Sequence, residues 1–129
     1  MTDTTTLAPV LAKHIAAVNA FDEDAIVATF ADDALVNDVH REFWGIQAIR
    51  RWVARELVAD RVTIAVTEVF EHHGDTIVRG RYDGDYDKTN LPDELILTNY
   101  FTVEGGKITS LIILRNRPAA SEEHAPSTT

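Results

Sequence analysis

The chain contains no cysteine. Disulfides, thiolate nucleophiles and cysteine-ligated zinc or iron–sulfur sites are therefore excluded. Positive charge is scarce as well: 12 lysines and arginines face 21 aspartates and glutamates, a net charge of −9 with histidine neutral. A surface that acidic repels phosphate backbones and anionic lipid, so neither a nucleic acid nor a membrane is an expected partner. No uncharged apolar stretch approaches the roughly 20 residues of a membrane span. The first twenty residues lack a basic start, and Lys13 and His14 interrupt their only apolar run. No signal peptide is read there, and a cytoplasmic location is expected.

What remains is an ordinary globular composition, 45% hydrophobic and 26% charged, in a chain of one-domain length. A chain of this size buries about two-thirds of its surface on folding, enough for a core with a small ligand pocket beside it. Residues 1–6 (MTDTTT) and 118–129 (PAASEEHAPSTT) are polar, small-residue segments expected to be disordered tails around a folded body at residues 7–117.

Leu7, Val10, Leu11, Ile15 and Val18 recur at helical spacing and predict a helix to about Asn19, with Pro9 tolerated in its first turn. Asp22 is a good N-cap for a second helix, with Phe21 and Ile26 placed as a hydrophobic staple and Asp32-Asp33 as its end. A strand is predicted over Ala34–His40. A third helix runs from Gly45 to about Val58, with Ile49, Trp52, Val53 and Leu57 inward and Arg50, Arg51 and Arg55 wet. The period then becomes two. Strands are predicted around Val62–Thr67, Thr76–Tyr86, Leu95–Val103 and Lys107–Arg115, with turns at His72–Asp75 and Gly105-Gly106 and a loop at Asp87–Pro92. The fold class expected is α+β: a conical, curved antiparallel sheet wrapped around a long helix, with two further helices closing its open end.

That element order, together with FADDALVNDV at Phe30–Val39, Trp44-Gly45 before the third helix and Gly106-Lys107-Ile108 at the last hairpin, resembles the nuclear transport factor 2-like superfamily. The closest likeness is to its SnoaL-like, ketosteroid isomerase-like branch, and it covers about residues 7–117. The resemblance implies a cystatin-like roll, an apolar pocket, and a homodimer formed through the sheet. Because the superfamily hosts isomerases, cyclases, epoxide hydrolases, dehydratases and inactive proteins, it constrains fold more than chemistry.

Asp38 is the leading candidate for that chemistry. Alternation places it on one strand face with Ala34, Val36 and His40, where partial desolvation would suit a carboxylate to proton transfer. In the resemblance it falls on the general-base aspartate of the isomerases. His14 lies on the apolar stripe of the first helix, at the place where the isomerases carry an oxyanion-binding tyrosine; the bland alternative is a half-buried, satisfied histidine. Counting back from Gly106-Lys107-Ile108, the isomerases' protonated aspartate falls on Thr98, beside Asn99, and neither is an acid; Thr98 and Tyr100 could still offer hydrogen bonds. Arg81 and Asp83 look like part of the site of limonene epoxide hydrolase-type relatives. The partner aspartate would there be Ile113, and the apolar row Val78, Tyr82 and Tyr86 competes for the inward face. Trp52, Phe43 and Trp44 are expected in core or pocket wall, and His40 as a partner to Asp38 near the mouth. His72 and His73 are adjacent in a turn, so their side chains are expected to diverge, and no metal site is expected. No nucleotide-binding or serine-nucleophile motif occurs, so no cofactor is expected.

Together these features suggest a cofactor-independent enzyme that moves a proton on, or adds water to, a small apolar molecule. Asp38 would be its base, with His14, Trp52, Thr98, Tyr100, His40 and Tyr82 around the ligand and Arg81, Asp83 and Asn99 as weaker candidates. The alternatives are a non-catalytic dimeric binding module of the same fold and, less favoured, a protein–protein adaptor.

Overall fold

The computed structural model describes residues 7–89 and 91–115. The terminal segments 1–6 and 118–129, and the disorder expected of them, lie outside the described residues.

Helix α1 (Pro9–Asn19) takes its proline in the first turn and buries Leu11, His14, Ala17 and Val18. Asp22 caps α2 (Glu23–Val27), its carboxylate accepting from the Ala25 N–H at 3.1 Å. Glu23 and Asp24 add favourable charge to that first turn. Phe21, the expected staple residue, instead sits at positive φ with the Arg61 guanidinium 4.1 Å from its ring centre. The second helix ends at Val27, and Asp32-Asp33 belong to strand β1 (Phe30–Asp38). The pairing register of β1 slips between Phe30 and Leu35. Such an irregularity lets two successive residues face solvent, which is how both aspartates stay exposed.

Strand β1 ends at Asp38, two residues earlier than expected. Val39 and His40 form a turn with φ of 50° and 74°, and strand β2 (Arg41–Trp44) folds back antiparallel on β1. Gly45, at φ 85°, opens α3 (Ile46–Trp52), which continues as a π-helical stretch over Val53–Val58. Four strands follow: β3 (Thr63–His72), β4 (Asp75–Asp83), β5 (Leu95–Glu104) and β6 (Lys107–Arg115). The Gly105-Gly106 turn has both residues at positive φ, as a tight hairpin requires.

The sheet order is β2-β1-β6-β5-β4-β3. The α+β class holds, but the sheet is mixed, because β1 and β6 run parallel while every other neighbouring pair is antiparallel. Strand β3 passes close against Gly80 of β4. A Cβ there would stand 2.9 Å from Ile64 Cγ2 and 3.3 Å from the Ala65 carbonyl, and the β3–β4 register shifts just beyond, between Val66 and Glu68. A side chain there would have to displace Ile64 and press on the β3 backbone.

The helices fill the concave face, where Leu11, Ile26, Ala34, Val36, Ile49, Val53, Val78, Ile108 and Leu111 are nearly inaccessible to water. Strand parity follows from that core. On β4, Val78, Gly80 and Tyr82 face in while Ile77, Arg79 and Arg81 face out; on β5, Leu97, Asn99 and Phe101 face in while Ile96, Thr98 and Tyr100 face out. Among the described residues, no helix is long and apolar enough to cross a membrane.

Candidate functional site

At the open end of the roll, a cavity of about 170 Å³ lies between the end of β1, the π-helical stretch, β4, β5 and the segment that joins them. Its depth is apolar, formed by Trp52, Val62, Leu97 and Ile113. Asp38 supplies an acid to its wall. The alternation of β1 sends Ala34 and Val36 into the sealed core; Asp38, next on that face, emerges where the core gives way to the cavity, with its side chain 17% exposed.

Two donors hold this carboxylate by the same oxygen. Trp52 Nε1–H donates to Asp38 Oδ2 at 3.0 Å, and Arg41 Nη2–H donates to it at 2.8 Å. Arg41 also grips Glu56, through Nη1 at 2.8 Å and Nη2 at 2.6 Å. The Glu56 hydrogen bond is the main influence holding the guanidinium above its ordinary pKa; desolvation opposes it and Asp38 assists. Strand β2 thus supplies a clamp that ties the general-base candidate to the π-helical stretch.

On the opposite wall, Tyr82 O–H donates to Asn99 Oδ1 at 2.9 Å, and Asn99 Nδ2 donates to the Val78 carbonyl at 3.2 Å. Burial pushes the Tyr82 phenol above its usual range, against the Asn99 hydrogen bond, which lowers it. The face of β4 that reaches the cavity is therefore the Val78–Tyr82 face. Arg81 pairs with Glu94 and Asp83 with Lys88, both in solvent. The Lys88 hydrogen bond holds the Asp83 carboxyl below the usual range. An epoxide hydrolase-like Arg-x-Asp site is not assembled here, since parity points both side chains away from the cavity.

Other expected positions also move. His14 is buried, but in solid core, with ring centres of Phe30 and Phe101 each 5.4 Å from its own. It does not line the cavity. Thr29 Oγ1 gives its one proton to the Ile26 carbonyl at 2.6 Å, so the 3.1 Å contact to His14 Nδ1 is donated by the imidazole. Burial lowers the His14 pKa to about 4, and its only N–H is spent. Thr98 faces the outer side of the sheet, where its hydroxyl accepts from Arg79 Nε at 3.3 Å, and Tyr100 shares that face. His40 is exposed in the β1–β2 turn, where its backbone N–H donates to Asn37 Oδ1 at 2.8 Å, because the strand that would have carried it inward has already ended. The His72 and His73 rings do not diverge but meet edge-on, centres 4.1 Å apart. No group of three metal-binding side chains exists among the described residues.

Of the expected site residues, the structure gathers Asp38, Trp52 and Tyr82 at the cavity, with Asn99 behind Tyr82. It adds Glu56, Leu57, Asp60, Tyr86 and Leu91, which the sequence pattern did not single out as site residues. Glu56 was within reach, since it follows Trp52 by four residues on a helix, the spacing of side chains that share a face. A larger groove of about 810 Å³ lies between α1, α2 and the β5–β6 turn, with Ala8, Ala16, Ala17, Ala25 and Ala28 in its lining. Among the described residues, its titratable side chains are Lys13 and Lys107, and the Lys107 ammonium already donates to the Ala28 carbonyl at 2.7 Å.

Solved structures share this architecture. A candidate polyketide cyclase from Sinorhizobium meliloti is 28% identical and superposes with a TM-score of 0.74 over 83% of this chain and 94% of that one. The epoxide hydrolase/cyclase-like enzyme SalBIII, which has a role in pyran ring formation in the polyether salinomycin, is 22% identical with a TM-score of 0.72, covering 83% of this chain and 88% of that one. A protein of ketosteroid isomerase-like fold from Catenulispora acidiphila, solved with trimethylamine, is 21% identical with a TM-score of 0.70, covering 84% and 85%. No curated protein matches the chain. The model of the SnoaL-like domain matches residues 11–111, most of the described fold, and the chain belongs to the SnoaL-like domain family.

Proposed function

We propose that the cavity takes a small, largely apolar molecule and that Asp38 serves as its proton acceptor in a cofactor-independent isomerisation, cyclisation, dehydration or water addition. One observation carries this proposal: a carboxylate fixed by an indole and a guanidinium stands in the wall of a cavity whose depth is apolar. Both donors fall on Oδ2, which orients the group and leaves Oδ1 as the oxygen to meet a substrate. His14, Thr98, Tyr100 and His40 take no part, because they lie in the core, on the outer face or in the turn.

The test is Asp38→Asn, assayed by mass spectrometry against a panel of small ketones, epoxides and hydroxylated precursors. The amide keeps the shape of the carboxylate and loses its basicity. Turnover is expected to fall by about 100-fold or more, with binding retained within a few-fold. Unchanged turnover would remove Asp38 from the chemistry. The second reading is a non-catalytic binding module. The clamp favours it to this extent: a carboxylate gripped by Arg41 and Trp52 is well held for orienting a ligand.

We further infer a homodimer through the outer face of the sheet. Register places Phe70, Ile77, Tyr100 and Ile112 in one row across β3, β4, β5 and β6, with Phe70 and Ile112 exposed and Ile77 already buried within the chain. Flanking charges are paired within the chain, Arg79 with Glu68 and Arg81 with Glu94. An apolar centre with a neutralised polar rim suits a protein interface. Tyr100→Glu is expected to convert a dimer to a folded monomer in light scattering; a wild type that is already monomeric at high micromolar concentration refutes the assignment.

A further inference from the structure

We propose that the ligand of this cavity carries a positively charged amine on its apolar body. The inference rests on the cavity being the binding site, as argued above, and it comes from counting donors and acceptors. Asn99 Nδ2 is committed to the Val78 carbonyl, so its Oδ1 faces Tyr82 and takes the phenolic proton. Tyr82 therefore has only lone pairs to offer a ligand. Trp52 has one N–H, and Asp38 receives it. The terminal nitrogens of Arg41 are turned to Asp38 and Glu56.

Among the described residues, the charged side chains lining the cavity are Asp38, Glu56 and Asp60, with no lysine, arginine or histidine beside them. Arg41 serves the first two. Among the described residues, the Asp60 carboxylate has neither a hydrogen-bond nor an ion-pair partner. Three carboxylates against one guanidinium leave the mouth negative, within a chain that is itself strongly acidic. Among the described lining side chains, only the Tyr86 hydroxyl is free to turn either way.

A wall of acceptors calls for a donor. An ammonium group supplies both the protons and the charge, and the rings of Trp52, Tyr82 and Tyr86 add faces on which a cation is stabilised. A carboxylate or phosphate ligand would meet like charge and, among the described lining side chains, find only the Tyr86 hydroxyl as a donor.

Three probes with one ring separate the possibilities: cyclohexylamine, cyclohexanol and cyclohexanecarboxylate, titrated near pH 7 into the ¹⁵N-labelled protein. The Trp52 indole N–H resonance reports the cavity. That of Trp44, which is exposed and bonded to Glu42, is the internal control. The amine is expected to bind about tenfold or more tightly than the alcohol while the carboxylate leaves the Trp52 signal unmoved, and Asp60→Asn should reduce the amine's advantage several-fold. Equal or tighter binding of the alcohol or the carboxylate overturns the charge assignment and leaves the cavity standing. An unchanged amine-to-alcohol ratio in Asp60→Asn overturns it likewise. If none of the three moves the Trp52 signal, the cavity itself is not a binding site and both proposals fall.

Discussion

Acidification from pH 7 to pH 4 is expected to remove about 3 kcal/mol of unfolding free energy through His14 alone, at roughly 1.4 kcal/mol per pH unit. In the unfolded chain the imidazole titrates near 6.5, whereas in the fold burial lowers it to about 4. Between those values the unfolded state binds a proton that the native state refuses, so stability is complete above about 6.5 and declines as pH falls. The physical obstacle is specific. Nδ1 already carries the hydrogen donated to Thr29, so a second proton must go on Nε2, in a site walled by Phe30 and Phe101. Urea unfolding at several pH values, in wild type and His14→Leu, isolates the effect from the carboxylates that titrate in the same range. The variant should lose much of the acid sensitivity, and its Thr29 hydroxyl keeps the Ile26 carbonyl as partner. Parallel pH dependence in the two proteins would place His14 in contact with water.

Trp52→Ala is expected to cost about 3–5 kcal/mol, the range for truncating a large buried aromatic. Trp52 is 3% exposed and packs near Phe43, ring centres 6.0 Å apart. It also closes the floor of the cavity and donates to Asp38. Trp52→Phe separates these roles. It keeps most of the packing and removes the N–H, so about 1.5–3 kcal/mol should be lost, in keeping with a hydrogen bond to a charged acceptor. Chemical denaturation of both variants checks the ordering. A phenylalanine variant as unstable as the alanine one would assign most of the contribution to the indole–carboxylate bond rather than to volume.

Most of the fold was legible because its buried faces are regular. Lys107–Arg115 is bounded to the residue and the inward row of α3 is readable from period alone, whereas on β4 the sequence leaves two faces in competition. Strand β2 escaped because four residues are too few to display a period, and the π-helical turn because its i→i+5 bonding leaves no mark in residue type. At the site, Asp38 was found because β1 alternates cleanly. On β5 the alternation fails as a guide: Ile96 and Tyr100 on one face are as apolar as Leu97 and Phe101 on the other. A count from the hairpin therefore placed Thr98 in the cavity when Asn99 faces in. Helix phase revealed that His14 is buried; whether a buried ring meets a hollow or solid packing depends on Phe30 and Phe101, which arrive from distant strands.

The parallel seam between β1 and β6 has a consequence for the order of assembly. Asp38 stands opposite Ile113 in that seam, so the strand that presents it has only the short β2 to lean on until the last described strand arrives. During synthesis, helices and hairpins can form early, but the carboxylate meets its enclosing wall only once nearly the whole domain has left the ribosome. Such sequence-distant pairing also slows folding. A chain cut before Lys107 would therefore expose the hydrogen-bonding edges of β1 and β5 and should associate with other chains rather than persist as a smaller folded unit.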